Sequence, residues 1–354
     1  MQKFNILDVY FYNDKRSNEN FFESAYMRRN LKAALEINDL RYITSPIDEN
    51  IKLIQYTDFN DFNKFNFFKN KKFLKAITLF YSEYDLYGKA LKRVKEDGEI
   101  KYKIKEADKK TLNQFDLIFV PSLKAKELAI KEGLDTKIKV LPPLIKLSRF
   151  ELENRETSKL IYIYFHLTEE TEFFYTILDY TDVEAADRII ELANCFKDYK
   201  FIIIAHDFKN KDSKKIAKKF KKHASNIIVS DFLENDIYCS IVYNAKAYFS
   251  LNSSYGGSLE TIEAYSLGKP VLALKSSGFE DILIDKETAY VYNDFASFID
   301  GFNLFLAGGL PNLKDKEIEF SKNFAIKKVG QVLIKAYLEM LDEVKKDDWC
   351  KLYY

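Results

Sequence analysis

Short apolar runs recur along this chain with helix-like patterns between them, from the first residues to beyond position 290. "FNILDVYFY" is followed by "FFESAYMRRNLKAAL", and "RYITSP", "KAITLFY", "FDLIFVP" and "KIKVLPP" continue the rhythm. Strands that alternate with helical segments are the mark of βα units, which build parallel sheets. The runs are almost continuously apolar, so their strands are expected to be covered by helices on both faces. Between "FDLIFVP" and "KIKVLPP", the helix "SLKAKELAIKEG" has Ser122 placed as its N-cap and Gly133 as the stop beyond its end.

Length sets the number of domains. The chain has 354 residues, and single hydrophobic cores stop growing at roughly 250–300, so two domains are expected. The pair Pro142–Pro143 and the aperiodic "LIKLSRFELENRETS" (Leu144 to Ser158) mark the linker. A second series follows: "KLIYIYFH", "KFIIIAHD", "NIIVSDF", "AYFSLN", "PVLALKS" and "TAYVY". The first domain is placed at 1–145 and the second at 158–315. The amphipathic stretch 316–354 is expected to pack back on the first domain. The fold class is then α/β: two doubly wound, Rossmann-like domains with the carboxyl ends of their strands facing a cleft, where such sheets bind ligands.

Composition removes several classes. The formal net charge of +1 gives no drive toward nucleic acid, and no nucleic-acid partner is expected. Cys195, Cys239 and Cys350 show no CxxC spacing, which fits a reducing compartment and argues against a zinc ribbon or disulfide scaffold. No clustered His/Asp/Glu spacing suggests a metal. The apolar run at the N-terminus is too short for a signal region or a membrane span, so a cytoplasmic protein is expected. "YTDFNDFNKFNFFKNKKF" (Tyr56 to Phe73) interleaves aromatics with Asn and Lys. That pattern suits a membrane interface or stacking on nucleic-acid bases, and more often a loop and helix edge whose aromatics join the core. Peripheral contact with an inner membrane surface therefore stays open, as does a homo-oligomer.

The chemistry concentrates in "AYFSLNSSYGGSLETIEAYSLGKPVLAL", which reads as strand, glycine-rich turn, helix, glycine stop and strand. Gly256 and Gly257 let the backbone turn tightly and approach a ligand. Ser258 opens the helix, whose free N–H groups and positive dipole end suit phosphate. Further along, Glu263 can accept hydrogen bonds from vicinal hydroxyls such as those of a ribose. Gly268 ends the helix and Pro270 starts the next strand.

"SLETIEAYSLGKPVLALKSSGFEDILIDKETAYVYND" resembles the donor-binding region of glycosyltransferase family 4 and its GT-B-fold relatives. Glu263, Ala264, Gly268, Pro270 and Val271 match the family's "EAxxxGxPV" string, and Gly278 with Glu280 matches the turn after it. "FDLIFVPSLKAKELAIKEGLDTKIKVLPPLIKLSRF" is similar to the family's passage into its linker, so the resemblance spans Phe115 to Asp294. It implies a retaining, metal-independent hexosyltransferase without a cofactor. The donor would be a nucleotide-diphosphate sugar, with a UDP-sugar as first expectation. The acceptor, whether glycan, lipid or protein, is not read from the sequence. The donor site implied is Gly256, Gly257, Ser258, Leu259, Glu263 and His166.

Departures from the family divide the readings. The family's first glutamate falls on Tyr255, which can bond a sugar hydroxyl but places no negative charge; Tyr255 and Glu263 are the catalytic candidates. The diphosphate-gripping arginine falls on His166, after "KLIYIYFH", and its lysine falls near Thr171 among Glu169, Glu170 and Glu172. A cationic His166 can substitute in part, and Lys15 and Arg16 in "FYNDKRSNENF" can reach phosphate from the first domain. His206 stands where the family prefers glycine and reads as a structural histidine. Two functions follow: an active, divergent transferase, or a catalytically degenerate GT-B chain serving as a binding or scaffolding subunit. An epimerase or phosphorylase on the same fold is a weaker third, since a phosphorylase needs the same missing cations.

Overall fold

The computed structural model describes residues 5–12, 22–45, 50–57, 73–79, 91–96, 99–104, 106–150, 155–178, 182–205, 211–230, 233–252, 258–275 and 281–351. The chain divides into two compact units, Met1–Lys146 with Phe324–Tyr354, and Leu147–Asn323.

In the first unit β1 (Asn5–Phe11), β2 (Leu40–Ile43), β3 (Leu53–Tyr56), β4 (Leu74–Thr78), β7 (Leu117–Val120) and β8 (Ile138–Val140) form one sheet in the order β2-β1-β3-β4-β7-β8. All its pairings are parallel. The strands β5 (Leu91–Glu96) and β6 (Glu99–Ile104) make a separate antiparallel hairpin. Neither this hairpin nor β3 is marked by the strand runs identified in the sequence. The helices here are α1 (Phe22–Ile37), α2 (Glu106–Leu112) and α3 (Leu123–Lys131). Capping of α3 follows the sequence reading: the Ala125 N–H donates to Ser122 Oγ at 3.1 Å, and Gly133 takes the left-handed conformation with φ 83°. Of the aromatic stretch at Tyr56–Phe73, Tyr56 is buried and stacks on Tyr12, and residues 58–72 lie outside the described residues.

The second unit has β9 (Phe173–Leu178), β10 (Lys200–Ala205), β11 (Ile227–Ser230), β12 (Tyr248–Ser250), β13 (Val271–Leu274) and β14 (Tyr290–Tyr292), in the order β11-β10-β9-β12-β13-β14. Every pairing is again parallel. Its helices are α4 (Arg155–Ser158), α5 (Leu160–Tyr164), α6 (Val183–Cys195), α7 (Lys211–His223), α8 (Asn235–Asn244), α9 (Ser258–Ser266), α10 (Phe295–Leu306) and α11 (Lys314–Ser321), preceded by a 3-10 turn at Leu147–Phe150. Phe174, Phe201, Phe249, Phe298 and Phe302 lie at the centre of its core.

One expected strand is a helix. "KLIYIYFH" forms α5, and the first strand of this unit is "FFYTIL", β9. A short apolar run does not by itself distinguish helix from strand, and burial decides here. In the first run Ile161 is buried, while Ile163 and Tyr164 are 69% and 49% exposed, which no strand in the middle of a covered sheet tolerates. Phe173, Phe174 and Tyr175 are all fully buried, and β9 is bonded on both sides.

The helical stretch expected from about Lys316 is two helices. The first, α11, belongs to the second unit; a 3-10 turn at Lys322–Phe324 separates it from α12 (Ile326–Lys351) of the first unit. α12 packs tightly on α1: a Cβ on Gly330 would come within 2.9 Å of the Ala34 Cβ. The Tyr337 hydroxyl donates to Gln55 Oε1 at 2.7 Å, and Gln55 Nε2 passes the chain on to Thr78 Oγ1, also at 2.7 Å. A polar side chain inside a covered sheet is thus satisfied by the last helix. Among the described residues no helix is long and apolar enough to cross a membrane.

Candidate functional site

In the second unit the strand order reverses at β9, which has β10 on one side and β12 on the other. Open α/β sheets bind ligands at such a switch point, outside the carboxyl ends of the strands. The chain leaving β12 there enters α9. That helix ends on Gly268, whose φ is 59°, with the Gly268 N–H donating to Tyr265 O and the Lys269 N–H to Ala264 O, both at 2.9 Å.

Glu263 lies within α9 and is 1% exposed. Its carboxylate is held from two sides. Arg149 Nη1 donates to Oε1 at 2.8 Å, and the Tyr238 hydroxyl of α8 donates to Oε2 at 2.6 Å. Arg149 comes from the 3-10 turn at Leu147–Phe150. Its Nε donates to Asn235 Oδ1 at 2.5 Å, and its Cζ lies 5.0 Å from the centre of the Tyr238 ring and 5.5 Å from that of Phe150. Burial raises the Glu263 carboxyl above its ordinary range, against the opposing charge of Arg149 and the hydrogen bonds from Tyr238 and Arg149. The Tyr238 hydroxyl is pushed well up, first by burial and then by the charge of Glu263, so it remains a donor. A carboxylate has about four acceptor sites. Two are engaged, which leaves capacity for a pair of ligand hydroxyls.

Glu260, one turn earlier, is also buried at 7% exposed, and its charge reaches Tyr175 and Tyr238 as well. Its charge adds to burial in raising the hydroxyl of Tyr248, on β12. Ser258 opens α9 and Leu259 is buried. Tyr255, Gly256 and Gly257 lie outside the described residues, as do Lys15, Arg16, His206, Gly278 and Glu280.

The structure moves His166. It lies in the turn after α5, exposed, with φ 52°, in the segment that leads into the amino end of β9. The strand expected before it is a helix, so His166 is at no strand's carboxyl end and is not brought to Glu263. Thr171 belongs to the same approach, hydrogen-bonded to Thr168.

Two cations were not anticipated as site residues. Arg149 sits in a segment read as linker, where no period singles it out. Arg188 is on α6, the helix that follows β9. Helix side chains lean toward the helix N-terminus, here toward the carboxyl end of β9. Arg188 Nη1 donates to the carbonyl of Leu251 at 3.3 Å, just beyond β12, and Nη2 pairs with Glu184. The signal for Arg188 was present: Asp182 caps α6 through the Ala185 N–H at 3.0 Å, which marks a helix start directly after "FFYTIL". Among the described residues no group of three His, Cys, Asp or Glu side chains is placed to hold a metal ion.

Two doubly wound parallel-sheet units of six strands each define the GT-B architecture, and that is the fold of this chain. No protein-family model matches the sequence, and no curated protein matches it. The similarity is to solved structures. Sucrose-phosphate synthase from Thermosynechococcus elongatus superposes with a TM-score of 0.70 at 12% identity, covering 96% of this chain and 99% of the other. HepE from Anabaena, solved in complex with UDP-glucose, gives 0.67 at 11% identity over 96% and 99%. A glycosyltransferase from Rickettsia africae gives 0.64 at 12% over the same shares.

Proposed function

We propose that this protein is a retaining glycosyltransferase that moves a sugar from a nucleotide-diphosphate sugar, with a UDP-sugar as donor, to a glycan, lipid or protein acceptor. The observation that carries the reading is Glu263: a buried carboxylate with open acceptor capacity, on the helix that follows β12 at the switch point of a GT-B unit. The complexes of HepE with UDP-glucose, and with UDP and glucose, support the choice of donor.

Each group then has a part. Glu263 accepts the ribose hydroxyls. The glycine turn before Ser258 and the N-terminus of α9 receive the diphosphate, and Tyr255 bonds a hydroxyl of the transferred sugar. Negative charge grows on the leaving diphosphate as the glycosidic bond breaks, and fixed positive groups there contribute the most to lowering the barrier. Arg188, beside the carbonyl of Leu251, supplies the counter-charge that the sequence lacks at the family's positions.

Calorimetric titration with UDP, GDP and ADP tests the reading, with Glu263→Ala alongside. Binding of one diphosphate at micromolar strength, lost in the variant, is the expected result. A folded protein that binds none of them has no such donor site. A second reading, a binding or scaffolding subunit without turnover, is favoured by the engagement of both Glu263 oxygens within the protein. Incubation with UDP-sugars separates the two, since a transferase releases UDP with a suitable acceptor or slowly with water.

A further inference from the structure

We propose that Arg149 is a positioning residue for the donor: by pairing with Glu263 it keeps that carboxylate charged and in one orientation for the ribose hydroxyls. This rests on the donor role given to Glu263 above.

Arg149 is fixed along its length. Its carbonyl accepts from Cys239 Sγ at 3.4 Å, its Nε is bonded to Asn235, its Nη1 reaches Glu263, and its guanidinium stacks on Tyr238. The planar fork therefore meets the carboxylate with little orientational freedom left to lose. The two side chains are 12% and 2% exposed. A buried ion pair is weak evidence of a stabilising role, because apolar residues of the same volume often serve stability as well or better. A charge-retaining pair on the helix that follows β12 calls for another purpose.

The surroundings of Glu263 show what that purpose is. The 3-10 turn presents Arg149; α8 presents Tyr238 and Cys239; β9 and β12 present Tyr175 and Tyr248, on which Glu260 of α9 also acts. Arg149 is the one cation in this set. Without it, burial favours the neutral acid. A neutral carboxyl turns one acceptor position into a donor and no longer offers both oxygens to a vicinal diol.

Direct contact between Arg149 and the diphosphate is the rival role, and a nucleoside without phosphates tells them apart. Wild type, Arg149→Gln, Arg149→Lys and Arg188→Gln are titrated calorimetrically with UDP and with uridine over a pH series from mildly acid to mildly alkaline. Where the wild type selects another base, the matching pair, GDP and guanosine or ADP and adenosine, takes their place. Arg149→Gln is expected to weaken both ligands by a similar factor, at least about tenfold, with the loss growing as pH falls. Arg149→Lys recovers part of it. Arg188→Gln weakens UDP and spares uridine. Uridine binding by Arg149→Gln that matches wild type at every pH overturns the proposal, as does a loss confined to UDP. If Arg149→Gln does not fold, Arg149→Lys and Tyr238→Phe carry the same test, each expected to weaken both ligands together. A wild type that binds no nucleoside diphosphate sinks the donor reading itself, whereas a binding wild type with indifferent Arg149 variants sinks only the positioning role.

Discussion

Two buried glutamates sit on helices that pack together in the second unit, and they are held in opposite ways. Glu263 on α9 and Glu317 on α11 are each 1% exposed. Glu263 has a guanidinium and a tyrosine hydroxyl on its two oxygens. Neither oxygen of Glu317 has a hydrogen-bond partner, and burial pushes its carboxyl up to about 8, with the Val271 backbone near enough only to moderate this. Desolvation acts on both, and the difference lies in the cation. Beside Arg149 a buried carboxyl has a counter-charge. Without one, Glu317 is largely neutral at neutral pH and acts as packing that happens to titrate.

The largest expected effect removes that difference. Arg149→Met leaves Glu263 as isolated from positive charge as Glu317, and losing one partner of a buried pair costs about 3–5 kcal/mol. The Glu263 carboxyl, already raised, then rises further. A raised carboxyl stabilises the fold fully only below its unfolded value, so the deficit of the variant should grow as pH increases. Urea denaturation at two pH values checks this, and a deficit independent of pH would mean the guanidinium serves only as packing. The converse change comes next. Glu317 is about 8 when folded against a model value of 4.5, so its contribution is intact below about 4.5 and fades as pH rises toward 8. Glu317→Gln should flatten the stability profile over that window. Above it the variant should gain on the order of 2–3 kcal/mol, allowing for relaxation around the site. An unchanged profile would mean that water already reaches Glu317.

The two carboxyls also mark the limit of what the sequence discloses. Glu263 stands out in the sequence because turn, helix and glycine stop follow one another within a single local stretch, and local chemistry of that kind is written residue by residue. The alternation of strands and helices, the Ser122 cap and the Gly268 stop were legible for the same reason. Arg149 precedes Glu263 by 114 positions, and only the folded chain brings them together. Glu317 looked like any charged residue of an amphipathic helix, because whether a glutamate is buried depends on what packs against it. The misplaced strand is a different failure: "KLIYIYFH" holds a longer unbroken apolar run than "FFYTIL", which Thr176 interrupts, but its apolar side chains do not all face the interior. The same error places His166 at a strand's carboxyl end, whereas it lies in the turn after α5.

A smaller change separates the two carboxyls through the helix contact they share. Gly268 has φ 59°, and a Cβ there would come within 2.4 Å of Lys314 Cγ and 3.1 Å of Ile318 Cδ1, both on α11. Gly268→Ala should cost about 1–2 kcal/mol for the left-handed backbone alone, and the side chain should wedge α11 away from α9. Water admitted there reaches Glu317 first. Its titration is expected to fall toward the ordinary carboxyl range while the nucleoside diphosphate affinity proposed for Glu263 stays unchanged. A parallel loss of affinity would show that the two helices move as one and that the contrast between their carboxyls is not local.

The smallest effect is read at a thiol. Cys239 is 1% exposed, burial pushes it up to about 11, and its Sγ donates to the carbonyl of Arg149; Cys195 is exposed. A thiolate is the species that alkylates, so with peptide mapping after brief iodoacetamide treatment Cys195 should be modified and Cys239 spared. Arg149→Lys loosens the turn that covers Cys239 and should raise its modification a few-fold, whereas Glu317→Gln should leave it untouched. An equal rise in both variants would mean that disturbance of either carboxyl opens the whole unit. Arg149 would then be a general strut of the unit, since a residue that sets only Glu263 has no means of acting in concert with Glu317.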